Sequence, residues 1–84
     1  MTARRRAPRP LALAFGRAVR ELREAKRFSV ATVASGAAMT ADRVREIERG
    51  ADDPLLDEIF RLAEALDVAP SELIARAVAQ GVQP

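Results

Sequence analysis

The aliphatic residues of this chain fall at helical spacing almost from end to end, and residues that start or stop helices interrupt that spacing repeatedly. Phe15, Val19 and Leu22 form one helical stripe; Leu56, Ile59, Phe60, Leu62, Ala63 and Leu66 form another; Leu73, Ile74, Ala77 and Val78 form a third. Between them stand Ser29 and Thr40, whose hydroxyls can accept a hydrogen bond from a free backbone N–H at a helix start. Gly50 stands where a left-handed residue closes a helix. Asp53 followed by Pro54 reads as a cap and a residue preset for the first helical turn. Pro70 opens a last helix and Gly81 stops it. No segment alternates apolar and polar residues for long, and no turn has hairpin chemistry. The pattern predicts an all-α, compact five-helix domain. Its helices run over residues 11–26, then from Ser29 with Val33, Ala34 and Ala37 inward, then from Thr40 with Val44 and Ile47 inward. The fourth ends near Asp67 and the fifth follows Pro70.

The chain has 84 residues, 49% hydrophobic and 31% charged, which suits one small globular domain. Three Phe and no Trp or Tyr make the expected core aliphatic. Residues 1–10, "MTARRRAPRP", are basic and proline-broken and cannot bury an apolar face, so a disordered basic N-terminal arm is expected there. The folded domain is then residues 11–80 and a short tail follows over residues 81–84. No apolar run approaches the roughly 20 residues of a membrane span, and the first residues lack the apolar stretch of a secretory signal. A cytoplasmic location, without membrane contact, is the expectation. With neither cysteine nor histidine, disulfides and thiolate or imidazole metal sites are absent, and no metal or cofactor is expected.

The net charge of +2 hides an asymmetry. Residues 1–50 hold 12 of the 14 basic groups and 5 of the 12 acidic ones, and the acidic excess lies in residues 51–84. One half is built to meet an anion. That half also contains two short helices joined by a tight turn, a helix-turn-helix arrangement. Its second helix is narrow enough to enter the major groove while the first braces across the backbone. On the helical wheel, Val44 and Ile47 mark the buried side, so Asp42, Glu46 and Arg49 point outward, flanked by Arg43 and Arg45.

The stretch "FGRAVRELREAKRFSVATVASGAAMTADRVREIERGADDPLLDEIFRLAEALDVAPSELI", residues 15–74, resembles the repressor-type helix-turn-helix domain of lambda repressor, Cro proteins and related bacterial regulators, the XRE family. The sharper matches are "RELRE" at residues 20–24, "IERG" at 47–50, "LAEAL" at 62–66, Val68, and "SEL" at 71–73. The resemblance implies a lambda-repressor-like fold and assigns roles. Thr40 caps the recognition helix and Ser29 opens the helix before it, both where the family meets phosphates. Ala41, Asp42, Arg43 and Glu46 fall where family members contact base edges. Arg23 and Glu48 match an ion pair between the first and third helices, whose loss of one partner costs about 3–5 kcal/mol when buried. The family usually binds near-palindromic operators as two-fold dimers, so a homodimer through Leu73, Ile74, Ala77 and Val78 is expected.

The chain departs from the family pattern in three ways. Val30 stands where glutamine is frequent and cannot make its hydrogen bond. Ala38 stands at the turn position usually held by glycine; a left-handed alanine costs about 1–2 kcal/mol unless the turn is reshaped, and Gly36 nearby loosens the segment. Asp42 and Glu46 make the base-facing surface partly acidic. A carboxylate there either accepts from cytosine N4 or holds the fork of Arg43 or Arg45 in a fixed pose. Arg43 is the expected base reader, because a bidentate arginine to guanine is the commonest specific contact. Arg4, Arg5, Arg6 and Arg9 either enter a minor groove or give only salt-sensitive attraction.

An enzyme is not expected. Without His, Cys or Tyr the chain offers carboxylates, Lys, Arg and three Ser, with no nucleophile–base pairing and no small-molecule substrate implied. Adjacent Asp52 and Asp53 suggest turn capping rather than a magnesium site. The reading is therefore a sequence-specific transcriptional regulator with its third helix in the major groove of double-stranded DNA. The alternative is a protein-interaction module, antitoxin-like or an anchoring partner, with weak or lost specific DNA binding. Val30, Ala38 and the acidic recognition helix motivate that alternative.

Overall fold

The computed structural model describes residues 10–81. Among them are five α-helices and no strand: α1 (Pro10–Ala25), α2 (Val30–Gly36), α3 (Ala41–Glu48), α4 (Leu56–Ala65) and α5 (Pro70–Gly81). The expected arm, with Arg4, Arg5, Arg6 and Arg9, and the residues after Gly81 lie outside the described residues. Pro10, expected to end the arm, is instead the first residue of α1, where its missing N–H loses no helical hydrogen bond. No helix among the described residues is long and apolar enough to cross a membrane.

Helices this short do not persist alone; the stripe each one buries holds it. Val19 of α1, Val33 of α2, Val44 and Ile47 of α3, Leu62 of α4, Leu66 just after it and Leu73 of α5 are all fully buried in one cluster. Packing of α5 is chiefly against α1, while α2 touches α3 and α4, and α3 also rests on α1. Two glycines permit the closest approaches. A Cβ on Gly16 would lie 2.3 Å from the carbonyl oxygen of Ile47, so α1 meets the end of α3 backbone to backbone. A Cβ on Gly36 would lie 3.1 Å from that of Ala65. Gly36 therefore lets α2 close onto α4, and does not loosen the segment as its sequence suggests.

The first four helices end alike. At each end a left-handed residue follows the last turn: Arg27 (φ 62°), Ala38 (φ 55°), Gly50 (φ 71°) and Asp67 (φ 59°). The next residue returns its N–H to a carbonyl in the last turn: Phe28 to Arg23, Met39 to Ala34, Ala51 to Glu46 and Val68 to Ala63. This is the paired-bond helix stop in which an apolar residue after the left-handed one packs back on the helix. Phe28, Met39 and Val68 do pack against the core. Their burial offsets the strain of a side chain in the left-handed region, which is why three of the four stops need no glycine.

The start of α4 differs from the expected one. Asp53 is not its cap and Pro54 is not in its first turn, because the N-cap is Leu55, an extended residue with no side-chain acceptor. Glu58, three residues on, supplies the acceptor by taking the Leu55 N–H at 2.8 Å. Asp52 instead accepts from the Asp53 N–H at 3.0 Å. Of the α4 stripe, Leu62, Ala63 and the following Leu66 are buried, but Leu56 and Phe60 are exposed.

Ala38 gives the testable consequence. Its side chain is exposed, so Ala38→Gly loses no burial. Relief of about 1–2 kcal/mol of left-handed strain, against about 0.4–1 kcal/mol of added unfolded-chain entropy, predicts a gain of roughly 0.5–1 kcal/mol. Urea unfolding of the variant beside the parent checks it.

Candidate nucleic-acid interface

α2 and α3 each begin on a hydroxyl cap. Ser29 Oγ accepts from the Thr32 N–H at 3.0 Å and donates to Thr32 Oγ1 at 2.9 Å. Thr40 Oγ1 accepts from the Arg43 N–H at 3.0 Å, which starts α3 where the sequence places it. From α4, Arg61 reaches back over the turn between α2 and α3, donating to the carbonyls of Ala37 at 3.4 Å and Ala38 at 3.1 Å. It also pairs with Asp57 at 3.1 Å.

The far end of α3 is tied to α1. Arg23 holds Glu48 through Nε at 2.7 Å and Nη2 at 3.1 Å, and Nη1 donates to the Phe28 carbonyl at 3.1 Å. Both side chains are largely buried. The bidentate bond to Glu48 raises the Arg23 pKa above its ordinary value against the opposing effect of burial. The pairing implied by resemblance is thus present in the geometry.

With Val44 and Ile47 in the core, α3 and its C-cap residue expose Asp42, Arg45 and Arg49. These lie three and seven residues apart and share one face. Glu46 and Ala41 border it, half-buried. Arg45 Nη1 meets Asp42 Oδ1 at 3.1 Å, in a pair where Arg45 is 55% exposed. An exposed pair of this kind holds its partners by only about 0.2–1 kcal/mol, so a better acceptor can displace it.

Arg43, the expected base reader, is placed otherwise: its guanidinium is engaged by acceptors within the domain. Its side chain is 20% exposed and turned toward α4. Nε and Nη2 grip Glu58 at 2.9 and 2.8 Å, Nη1 meets Asp52 at 2.9 Å and Glu46 at 3.1 Å, and Nη2 also reaches the Asp53 carbonyl at 3.3 Å. These five bonds use all the N–H donors a guanidinium has. The guanidinium is thus fully occupied within the domain, chiefly by the largely buried Glu58.

Glu58, 8% exposed, is held well below the usual carboxylate range by the hydrogen bond from Arg43, against the upward push of burial, with the Leu55 N–H adding to the lowering. The same bonds, first to Glu58 and then to Asp52, hold the Arg43 guanidinium above its ordinary pKa. Sequence reasoning missed Glu58, Asp52 and Arg61. The spacing of Leu55 and Glu58, three residues apart, is the one local signal for Glu58, since it is the spacing of a capping box.

Of the residues expected at a dimer contact, Leu73 is fully buried in the core, and Ala77 is buried but lines an open apolar groove. Ile74 and Val78 are 43% and 44% exposed and border that groove with Leu11, Phe15, Pro54 and Ile59. Val30 packs against the core edge.

The profile of a family described as a helix-turn-helix domain matches residues 14–77. Among solved structures, the restriction-modification controller protein C.AhdI from Aeromonas hydrophila is 40% identical, with a TM-score of 0.72 over 74% of this chain and 94% of that one. The clp gene regulator ClgR from Corynebacterium glutamicum is 23% identical and shares the fold, with a TM-score of 0.82 over 92% of this chain and 100% of that one. A hypothetical transcription factor, NHTF from Neisseria, is 25% identical, with a TM-score of 0.72 over 87% and 86%. No curated protein matches the chain.

Acid should weaken the fold through Glu58. Its folded pKa lies below the ordinary 4.5, so its contribution is complete above that pH and is lost as pH falls below it toward the folded value. Urea midpoints are expected to drop below about pH 4.5, and Glu58→Gln should flatten that drop while lowering stability at neutral pH.

Proposed function

The chain belongs to the repressor-type helix-turn-helix family of DNA-binding domains, and we propose that it is a sequence-specific transcriptional regulator that lays α3 in the major groove. The observation that carries this reading is the exposed face of Asp42, Arg45 and Arg49 on a helix anchored at both ends, by its Thr40 cap and by Arg23–Glu48. A groove-entering helix needs such a face and such a fixed pose, because base contacts demand defined geometry.

Arg45 and Arg49 are the base readers in this reading, with Arg45 exchanging its weak pair with Asp42 for a guanine edge. Asp42 remains as an acceptor for cytosine N4. Thr40 and Ser29 mark the exposed helix starts where phosphates fit, since a free helix N-terminus attracts anions. Two copies related by a two-fold axis, touching through Ile74 and Val78, would set two recognition helices about one DNA turn apart. The 74% coverage and 40% identity with a controller protein support the regulator reading.

Selection of bound sequences from a random duplex library, at near-physiological salt with competitor DNA, tests it. A near-palindromic motif with half-sites about one turn apart is expected. Arg45→Ala is expected to cost about 1–3 kcal/mol of specific binding and to relax one base position in each half-site. Binding that enriches no motif and vanishes with rising salt would transfer the weight to the protein-interaction reading.

A further inference from the structure

Arg43 stands in the first turn of α3, next to Asp42, yet contributes nothing to the exposed face. What removes it is a set of acceptors that lie outside that face. Glu58 takes two of its bonds and is itself pinned from behind by the Leu55 N–H, at the start of α4, where a helix dipole also favours a carboxylate. Asp52 and the Asp53 carbonyl, from the loop between α3 and α4, take two more, and Glu46 takes the fifth. The guanidinium is therefore surrounded by acceptors on α3, on the following loop and on α4, a pose that a freely swinging surface arginine does not hold.

We infer that Glu58 is a specificity-determining positioning residue: by clamping Arg43 out of the groove it dictates which bases the first turn of α3 accepts. With Arg43 clamped, that turn presents Ala41 and Asp42, a methyl group and a carboxylate. Those suit a thymine methyl or a cytosine amino group and offer guanine no donor. Unclamped, the same turn carries a bidentate arginine and prefers guanine. A single residue of α4, outside the exposed face of α3, thus selects between two reading modes of one helix.

The inference rests on the DNA-binding reading, and the experiment separates the two. The same library selection is run on the parent chain and on Glu58→Gln, which keeps an oxygen for the Leu55 N–H but turns a donor amide toward Arg43. Circular dichroism checks that the variant stays helical. The expected result is the parent motif with a new guanine preference, about fivefold or more, at one position in each half-site. A folded Glu58→Gln chain that selects the parent motif unchanged overturns the inference and leaves the DNA-binding reading standing. A parent chain that selects no motif overturns both.

A second measurement holds even where Glu58→Gln does not fold. The Nε–H resonance of Arg43 in the parent chain is followed by NMR as the selected duplex is added. A signal that keeps its shift and its slow exchange on binding is expected, because Nε stays on Glu58. A large shift with loss of the Glu58 contact would show Arg43 leaving the clamp to meet DNA, and the inference would fall.

Discussion

The pose of α3, eight residues long, depends on where its two ends are fixed, and its C-terminal end is fixed by its contact with α1. Gly16 brings the α1 backbone against the carbonyls of Ile47 and Glu48, closer than any side chain would allow. Beside that contact, Arg23 grips the Glu48 carboxylate with two nitrogens and the Phe28 carbonyl with the third. One guanidinium thus joins α1, the end of α3 and the stop of α1 itself. A helix of this length has no stable existence alone, so the angle at which it is presented is set by contacts such as this one.

The fourth helix fixes the other side, and with chemistry of the same kind. Arg61 ties the carbonyls of Ala37 and Ala38, at the turn that leads into α3, while Glu58 ties Arg43 in its first turn. Both ties matter because the turn residue is alanine in a left-handed conformation, held open to solvent. Hydrogen bonds from Arg61 hold a backbone that alanine alone does not favour. The helix that touches no expected base position therefore does much of the positioning.

Local signals were legible in the sequence and distant ones were not. Ser29, Thr40 and Gly50 act within a turn of where they stand, and each has the role its residue type suggests. The left-handed conformation at Arg27 and Asp67 escaped notice because glycine was the signal sought, and Ala38 was singled out only through the family's glycine, whereas the deciding residues are the apolar ones that follow, Phe28, Met39 and Val68. Asp53–Pro54 misled because a good cap was present and unused; the N-cap fell on Leu55, served by Glu58. Arg43 misled for a different reason. A helical wheel divides residues into inward and outward, and Arg43 is neither, since its partner stands 15 residues away on another helix. The Arg23–Glu48 pairing, 25 residues apart, was found through family resemblance and not through spacing.

The lock on Arg43 changes what the basic half of the chain means. Counted as sequence, α3 brings three arginines toward an anion. Counted as surface, one of them is neutralised within the domain, and Arg45 and Arg49 stand beside Asp42 and Glu46, so the exposed face is close to neutral. A neutral surface draws little from counterion release, the term that dominates non-specific affinity. On the proposed reading, attraction to the phosphates then falls to basic residues away from α3, of which Arg17, Arg20 and Arg27 are exposed. α3 is left to discriminate, which is what mixed charge at fixed positions does well: each wrong base leaves a donor or a carboxylate unmatched.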